Sequence, residues 1–195
     1  MNFKYFLNES VKTTVQPKTK DELKKIIADT IKEQGNNCDL NFIDTSLIED
    51  MGYLFYSAKF NGDISKWDVS NVESMKYVFY DSKFKRDISK WNVSRVKDMG
   101  YMFCGSTFNG DISKWNVSNV KKMVDMFYGS EFNSDISKWD VSSVETMKGM
   151  FSKSKFTGDI TKWDVSNVKD MSDMFKGSAL KGNEPDWYKK NKKIK

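Results

Sequence analysis

The sequence contains no histidine and only two cysteines, Cys38 and Cys104. Without an imidazole, the acid–base and nucleophile-activating chemistry that depends on histidine is excluded. The two cysteines fall at different phases of the repeat described below and make neither metal-ligand spacing nor a disulfide framework. No metal and no cofactor is therefore expected. Long hydrophobic runs are missing as well. The opening stretch Met1-Asn2-Phe3-Lys4-Tyr5-Phe6-Leu7-Asn8-Glu9 holds an apolar run far too short for a signal-peptide core, and nothing approaches the ~20 residues of a membrane-spanning helix. As written, the chain reads as unexported, which suggests the cytoplasm. Excess charge is scarce outside one end. The net charge is +5, but Lys181 to Lys195 carries six lysines against Glu184 and Asp186, which is +4 of it. The body is close to neutral, so the basic stripe that nucleic-acid binding requires is absent. The lysines read as a solvated terminus.

What the sequence has in abundance is one interval. Tryptophan stands at 67, 91, 115, 139, 163 and 187; methionine at 51, 75, 99, 123, 147 and 171; phenylalanine at 55, 79, 103, 127, 151 and 175. A fixed period of 24 across three bulky residue types signals a repeat array in which each unit contacts only its neighbours. One elongated domain is expected, divided into an N-terminal arm and capping helix (1–41), a repeat body (42–180) and a terminating half-turn with a basic tail (181–195).

Thr19-Lys20-Asp21-Glu22 is a capping box, and Leu23, Ile26, Ile27 and Ile31 form an apolar stripe at helical spacing before Gly35. A helix over roughly 20 to 34 follows, covering the exposed end of the first repeat. Residues 41–55 are a degenerate first unit, with Ile43 in the Trp67 position. Close copies run to about Leu180. Near the end, Glu184 and Pro185 break the pattern, as expected of an edge strand that discourages further pairing.

Within a unit, Ile64-x-x-Trp67-x-Val69 has the pattern of a leucine-rich-repeat strand, and Val72, Met75, Val78 and Phe79 have the spacing of a short helix. The fold expected is an α/β repeat solenoid: a leucine-rich-repeat-like right-handed stack of 24-residue strand–helix units with a helical N-terminal cap. Trp67, Trp91, Trp115, Trp139, Trp163 and Trp187 form its structural core. At a parallel-strand spacing of ~4.8 Å, six turns would make a rod or shallow arc about 30 Å long.

The motif W-[DN]-V-S-x-V-x-x-M-x-x-[MV]-F occurs five times between Trp67 and Phe175. In these residues the chain resembles the BspA-like leucine-rich-repeat surface proteins of bacteria, in particular the branch with a mycoplasma-lipoprotein-like repeat of about 25 residues. The resemblance covers roughly residues 42 to 180. It implies a right-handed solenoid, a cell-surface or secreted setting and adhesion to other proteins, and it carries no catalytic residues.

Three columns are candidates for function. Lys66, Lys90, Lys114, Lys138 and Lys162 form a ladder that could take an acidic ligand such as a glycan. The neighbouring Asp63, Asp87, Asp111, Asp135 and Asp159 make mutual neutralisation the simpler account. Those aspartates could also be read as calcium sites, although capping of the Asn-Gly-Asp turn is the simpler role. The third column is aromatic: Tyr53, Tyr77 and Tyr101 recur at one phase, and Tyr56, Tyr80 and Tyr128 at another. Exposed tyrosines suit recognition surfaces because they offer large contact area at little entropic cost. Stacking of the rings along the rod is the alternative. Rows of like groups, with no unlike set converging in a pocket, argue against an enzyme. The expected function is a protein-interaction module for adhesion or recognition, the alternative being a cytoplasmic scaffold that self-associates; the partner is a protein of unknown identity.

Overall fold

A computed structural model describes residues 14–192, with side-chain environments through Lys190. Helix α1 spans Lys20–Gln34 and helix α2 spans Asp186–Lys192. The Thr19 hydroxyl accepts the Glu22 N–H at the start of α1, and Glu22 reaches back to the Lys18 N–H at 2.7 Å. Leu23, Ile26 and Ile27 are buried in the same continuous core as the repeats.

Between the helices the expected strand–helix architecture is absent. Helix accounts for 11% of the chain and bridge residues for 6%, with no sheet and, among the described residues, no helix in any repeat. The repeats are 24-residue rungs of overlapping tight turns, joined by isolated parallel bridges from Asp50 to Ser74, Asp98, Lys122, Thr146 and Asp170 in succession.

The segment expected to be helical carries the backbone bonding between rungs. In the rung 60–83, the N–H groups of Met75, Tyr77, Phe79 and Asp81 donate to carbonyls of Asp98, Gly100, Met102 and Cys104 at 2.7–3.0 Å. The alternate amides of Val78, Tyr80 and Ser82 close local turns on Met75, Tyr77 and Phe79. This alternation needs left-handed backbone at two places per rung: φ is +61° at Tyr77 and +47° at Asp81, and the same phases are left-handed in the other rungs. An α-helix cannot contain such residues, and its ~10 Å diameter could not stack at the spacing of hydrogen-bonded rungs.

The segment expected to be a strand, Ile64–Ser70, makes no backbone hydrogen bond to another rung among the described residues. Its bonded amides are taken locally, except that the Lys66 N–H donates to Asn41 Oδ1 of the preceding rung at 2.8 Å. The Asp63 and Asp68 carboxylates accept the N–H groups of Ser65 and Ser70, at 2.9 and 3.0 Å, and Trp67 N–H closes a turn on Ile64. Short polar side chains that capture nearby amides compete with a ladder in this way. Burial nonetheless follows the expected sides: Ile64, Trp67 and Val69 are buried and Lys66 and Asp68 exposed.

Side chains suture this side of the stack. Each indole N–H donates to the carbonyl 27 residues earlier: Trp67 to Leu40, Trp91 to Ile64, Trp115 to Ile88, Trp139 to Ile112, Trp163 to Ile136 and Trp187 to Ile160, at 3.0–3.2 Å. Rings one period apart lie nearly parallel, so their separation measures the local spacing. It is 6.5 Å from Trp67 to Trp91, 6.2 Å from Phe60 to Phe84, 5.6 Å from Phe55 to Phe79, and 4.5 Å from Tyr77 to Tyr101. The stack is therefore widest along the tryptophans and narrowest along the tyrosines, and bends toward the tyrosine face.

Both ends depart from the rungs. Val15 forms a parallel bridge with Ile43 and the Gln16 side chain donates to Asp44 at 2.7 Å, while residues 1–13 of the N-terminal arm lie outside the described residues. At the other end Trp187 keeps its indole bond, but the chain after Pro185 forms α2 in place of the expected edge strand.

Candidate functional site

The narrow face carries the tyrosines. Tyr53, Tyr77 and Tyr101 stack in one row with centres 4.6 and 4.5 Å apart, and Tyr56 and Tyr80 stack in a second at 4.7 Å. Tilted contacts of 5.6–6.2 Å between Tyr53 and Tyr56, Tyr56 and Tyr77, and Tyr77 and Tyr80 join the rows into one cluster. Tyr53 and Tyr56 are about half exposed, at 48% and 46%, and Tyr77, Tyr80 and Tyr101 are partly buried. The surface is curved and made of overlapping turns, where a helical face was expected.

Each ring of the first row stands on left-handed backbone, with φ of +65°, +61° and +58° at Tyr53, Tyr77 and Tyr101. A non-glycine residue there costs on the order of 1–2 kcal/mol. Stacking, worth about 0.5–1.5 kcal/mol per aromatic pair, offsets much of that cost.

The rows stop at the fourth rung. Asp125 follows Tyr101, whose phenol is pushed up to about 12 by burial and then by the Asp125 carboxylate. Burial also raises Asp125, against a hydrogen bond from Tyr101 that lowers it. Cys104 follows Tyr80. Its thiol is pushed up to about 12, by burial first and then by Asp125 and Asp81, so it holds almost no thiolate at neutral pH. Among the described residues Tyr128, the sixth candidate, stacks on no other tyrosine; the Lys153 ammonium lies 5.2 Å from its ring centre. Lys76 stands similarly, 5.3 Å from the ring of Tyr77.

The lysine ladder lies on the other, widely spaced side. Lys66, Lys90, Lys114, Lys138 and Lys162 are all exposed. The carboxyl three residues before each is held below the ordinary range, chiefly by a Ser or Thr and also by the lysine itself, from Asp63 beside Lys66 to Asp159 beside Lys162. Every ladder charge thus has a carboxylate beside it. Asp63 and its copies each accept an amide two residues ahead, and no group of three or more Cys, Asp or Glu among the described residues is placed to hold a metal ion.

Two features escaped the sequence reading. One is the indole donor at each tryptophan from Trp67 to Trp187, a bond that leucine could not make. The other is pairing one period apart: Lys97 with Glu73 at 2.9 Å, Lys155 with Glu131 at 2.6 Å and Lys169 with Glu145 at 2.9 Å. Reading charges in columns of 24 would have exposed the pairs; the tryptophan column was visible, but the carbonyl its indoles bond was not.

The family model described as Mycoplasma protein of unknown function, DUF285, matches residues 22–131 and 105–193, together most of the chain. The chain belongs to that family. The two overlapping DUF285 matches start inside α1, include every rung bridge after Ile43 and run past α2, so most of α1 and all of α2 fall within the matched span. No curated protein and no solved structure matches the chain. Among the described residues no helix is long and apolar enough to cross a membrane.

Proposed function

We infer that the chain is a non-enzymatic protein-interaction module that engages its partner through the tyrosine rows on its narrow face. The observation that carries this reading is the clustering of Tyr53, Tyr56, Tyr77, Tyr80 and Tyr101 into one partly exposed surface. Three of these residues occupy backbone that glycine would adopt without cost. Outliers of this kind persist where something other than local stability holds them, which favours a contact role. The resemblance to BspA-like surface proteins favours adhesion as that role. Against catalysis stand the lack of histidine and a Cys104 thiol that does not ionise near neutral pH.

The test is the triple substitution Tyr53→Ser, Tyr77→Ser and Tyr101→Ser. It should abolish partner binding, or dimerisation if the partner is a second copy, while circular dichroism and the denaturation midpoint stay those of a folded chain. Association that survives in the folded triple variant removes the tyrosine face from consideration.

A further inference from the structure

The alternate amides of each arc on the narrow face have a direction. In the first five rungs they donate to the rung that follows, whereas Glu73, Lys97, Lys121, Glu145 and Lys169, just before the arcs, donate back to the preceding rung. In the fifth rung Met147, Gly149, Phe151 and Lys153 donate to the carbonyls of Asp170, Ser172, Met174 and Lys176 at 2.8–3.0 Å. The equivalent donors one period on are Met171, Asp173, Phe175 and Gly177. Among the described residues Met171, Asp173 and Gly177 donate to nothing, and Phe175 donates to the Tyr188 hydroxyl. Helix α2 therefore closes only part of this end. Tyr188 packs edge-on against Phe175 at 4.8 Å and covers the core, while Asp173, Lys176 and Gly177 remain exposed.

This edge lies in the basic part of the molecule. From Met171 to Lys195 the sequence has seven lysines against Asp173, Glu184 and Asp186, a balance of +4. Lys176, Lys181, Lys189 and Lys190 are exposed, and Lys176 lies 3.5 Å from Asp173. A row of outward amide donors asks for backbone carbonyls, and the surrounding ammonium groups ask for carboxylates. An extended acidic segment supplies both.

We propose that the arc 171–177 is a pairing edge that receives an extended, acidic segment of a partner protein. The segment lies along the arc and parallel to it, its carbonyls accepting the amides of Met171, Asp173 and Gly177 without the local turns of a rung. Backbone bonds give such added strands their affinity, and side chains give selectivity. The lysines make binding sensitive to salt. The site is separate from the tyrosine rows, the last of which ends at Tyr101, three rungs earlier along the stack.

The probe is a synthetic peptide of alternating Glu and Val, with a Lys and Val peptide as control, read by amide hydrogen exchange on the whole chain. In the free protein the amides of Met171, Asp173 and Gly177 should exchange at least tenfold faster than Met147, Gly149 and Lys153. The acidic peptide should slow those three at least tenfold, and the control should not. Lys176→Glu with Lys181→Glu should weaken binding at least tenfold, whereas the triple tyrosine variant should bind as before. Slow exchange at these amides in the free protein would overturn the proposal, because the chain's own residues would then fill the edge. So would equal binding of the basic peptide, no binding of the acidic one, or binding that leaves the three amides unprotected.

Discussion

Replacing Trp115 by phenylalanine tests the claim that indole donors hold the wide side of the stack. Trp115 is 3% exposed and its ring lies 6.5 Å from that of Trp91. Its N–H donates to the carbonyl of buried Ile88 at 3.1 Å. Phenylalanine keeps a ring in the row but loses the indole donor; the Ile88 carbonyl retains the Trp91 N–H at 3.1 Å, so the loss is that of one net hydrogen bond, about 0.5–1.5 kcal/mol. The smaller ring leaves a void that adds roughly 1 kcal/mol. Alanine at the same position should cost about 3–5 kcal/mol. The prediction is that Trp115→Phe retains about half of the alanine defect, at about 1.5–2.5 kcal/mol. Urea denaturation followed by far-ultraviolet circular dichroism gives the free energies. Hydrogen exchange locates the loss, which should centre on the rungs containing Ile88 and Trp115. Because stability in such an array is close to a sum over neighbouring units, a central defect should also broaden the transition or split it in two. A folded Trp115→Phe protein within about 0.5 kcal/mol of the parent would refute the reasoning, since the ring alone would then account for the residue.

Gly129 has φ of +59° and open space where a Cβ would stand, so Gly129→Ala isolates the left-handed backbone from any clash. It should lose about 1–2 kcal/mol in urea denaturation, and no loss would remove the argument about the tyrosine backbone with it. The pH dependence has two opposed parts. Asp63, Asp87, Asp111, Asp135 and Asp159 are depressed by their Ser or Thr partners, so their stabilisation is present above the unfolded value of ~3.9 and is lost as pH falls through their folded values. Asp125 is raised by burial, so its ionisation weakens folding as pH rises through its folded value. Asp125→Asn should therefore raise the urea midpoint at pH 7 and gain less below pH ~4; a lower midpoint at pH 7 would contradict this.

How much of this was legible in the sequence varies with the physical term concerned. Burial was legible because it follows side-chain chemistry at a fixed period: Ile64, Trp67, Val69, Val72, Met75 and Phe79 all lie inside. Helix α1 was legible because its capping residues and apolar stripe act within a few neighbours. Backbone conformation inside the rung was not. The Val72, Met75, Val78 and Phe79 spacing suits one face of a helix, yet it equally suits successive turns that each return one side chain to the core. Likewise Asp63, expected to cap the Asn-Gly-Asp turn, and Asp68 hold the amides of Ser65 and Ser70 that a strand would have given to its neighbour.

One signal could have decided between helix and turns. The column through residue 57 reads Ser57, Asp81, Gly105, Gly129, Lys153 and Gly177, three glycines among six, and all are left-handed. Glycine recurring at one phase of an array marks backbone with positive φ far better than it marks a helix interior. The column through residue 53 carries the same conformation with the opposite preference, Tyr53, Tyr77 and Tyr101, then Asp125, Gly149 and Asp173. Local preference and observed backbone disagree most where the three tyrosines stand. Sequences tolerate such conflict chiefly where function supplies the reason, so the same mismatch that hid the fold from a periodicity reading singles out the surface proposed for binding.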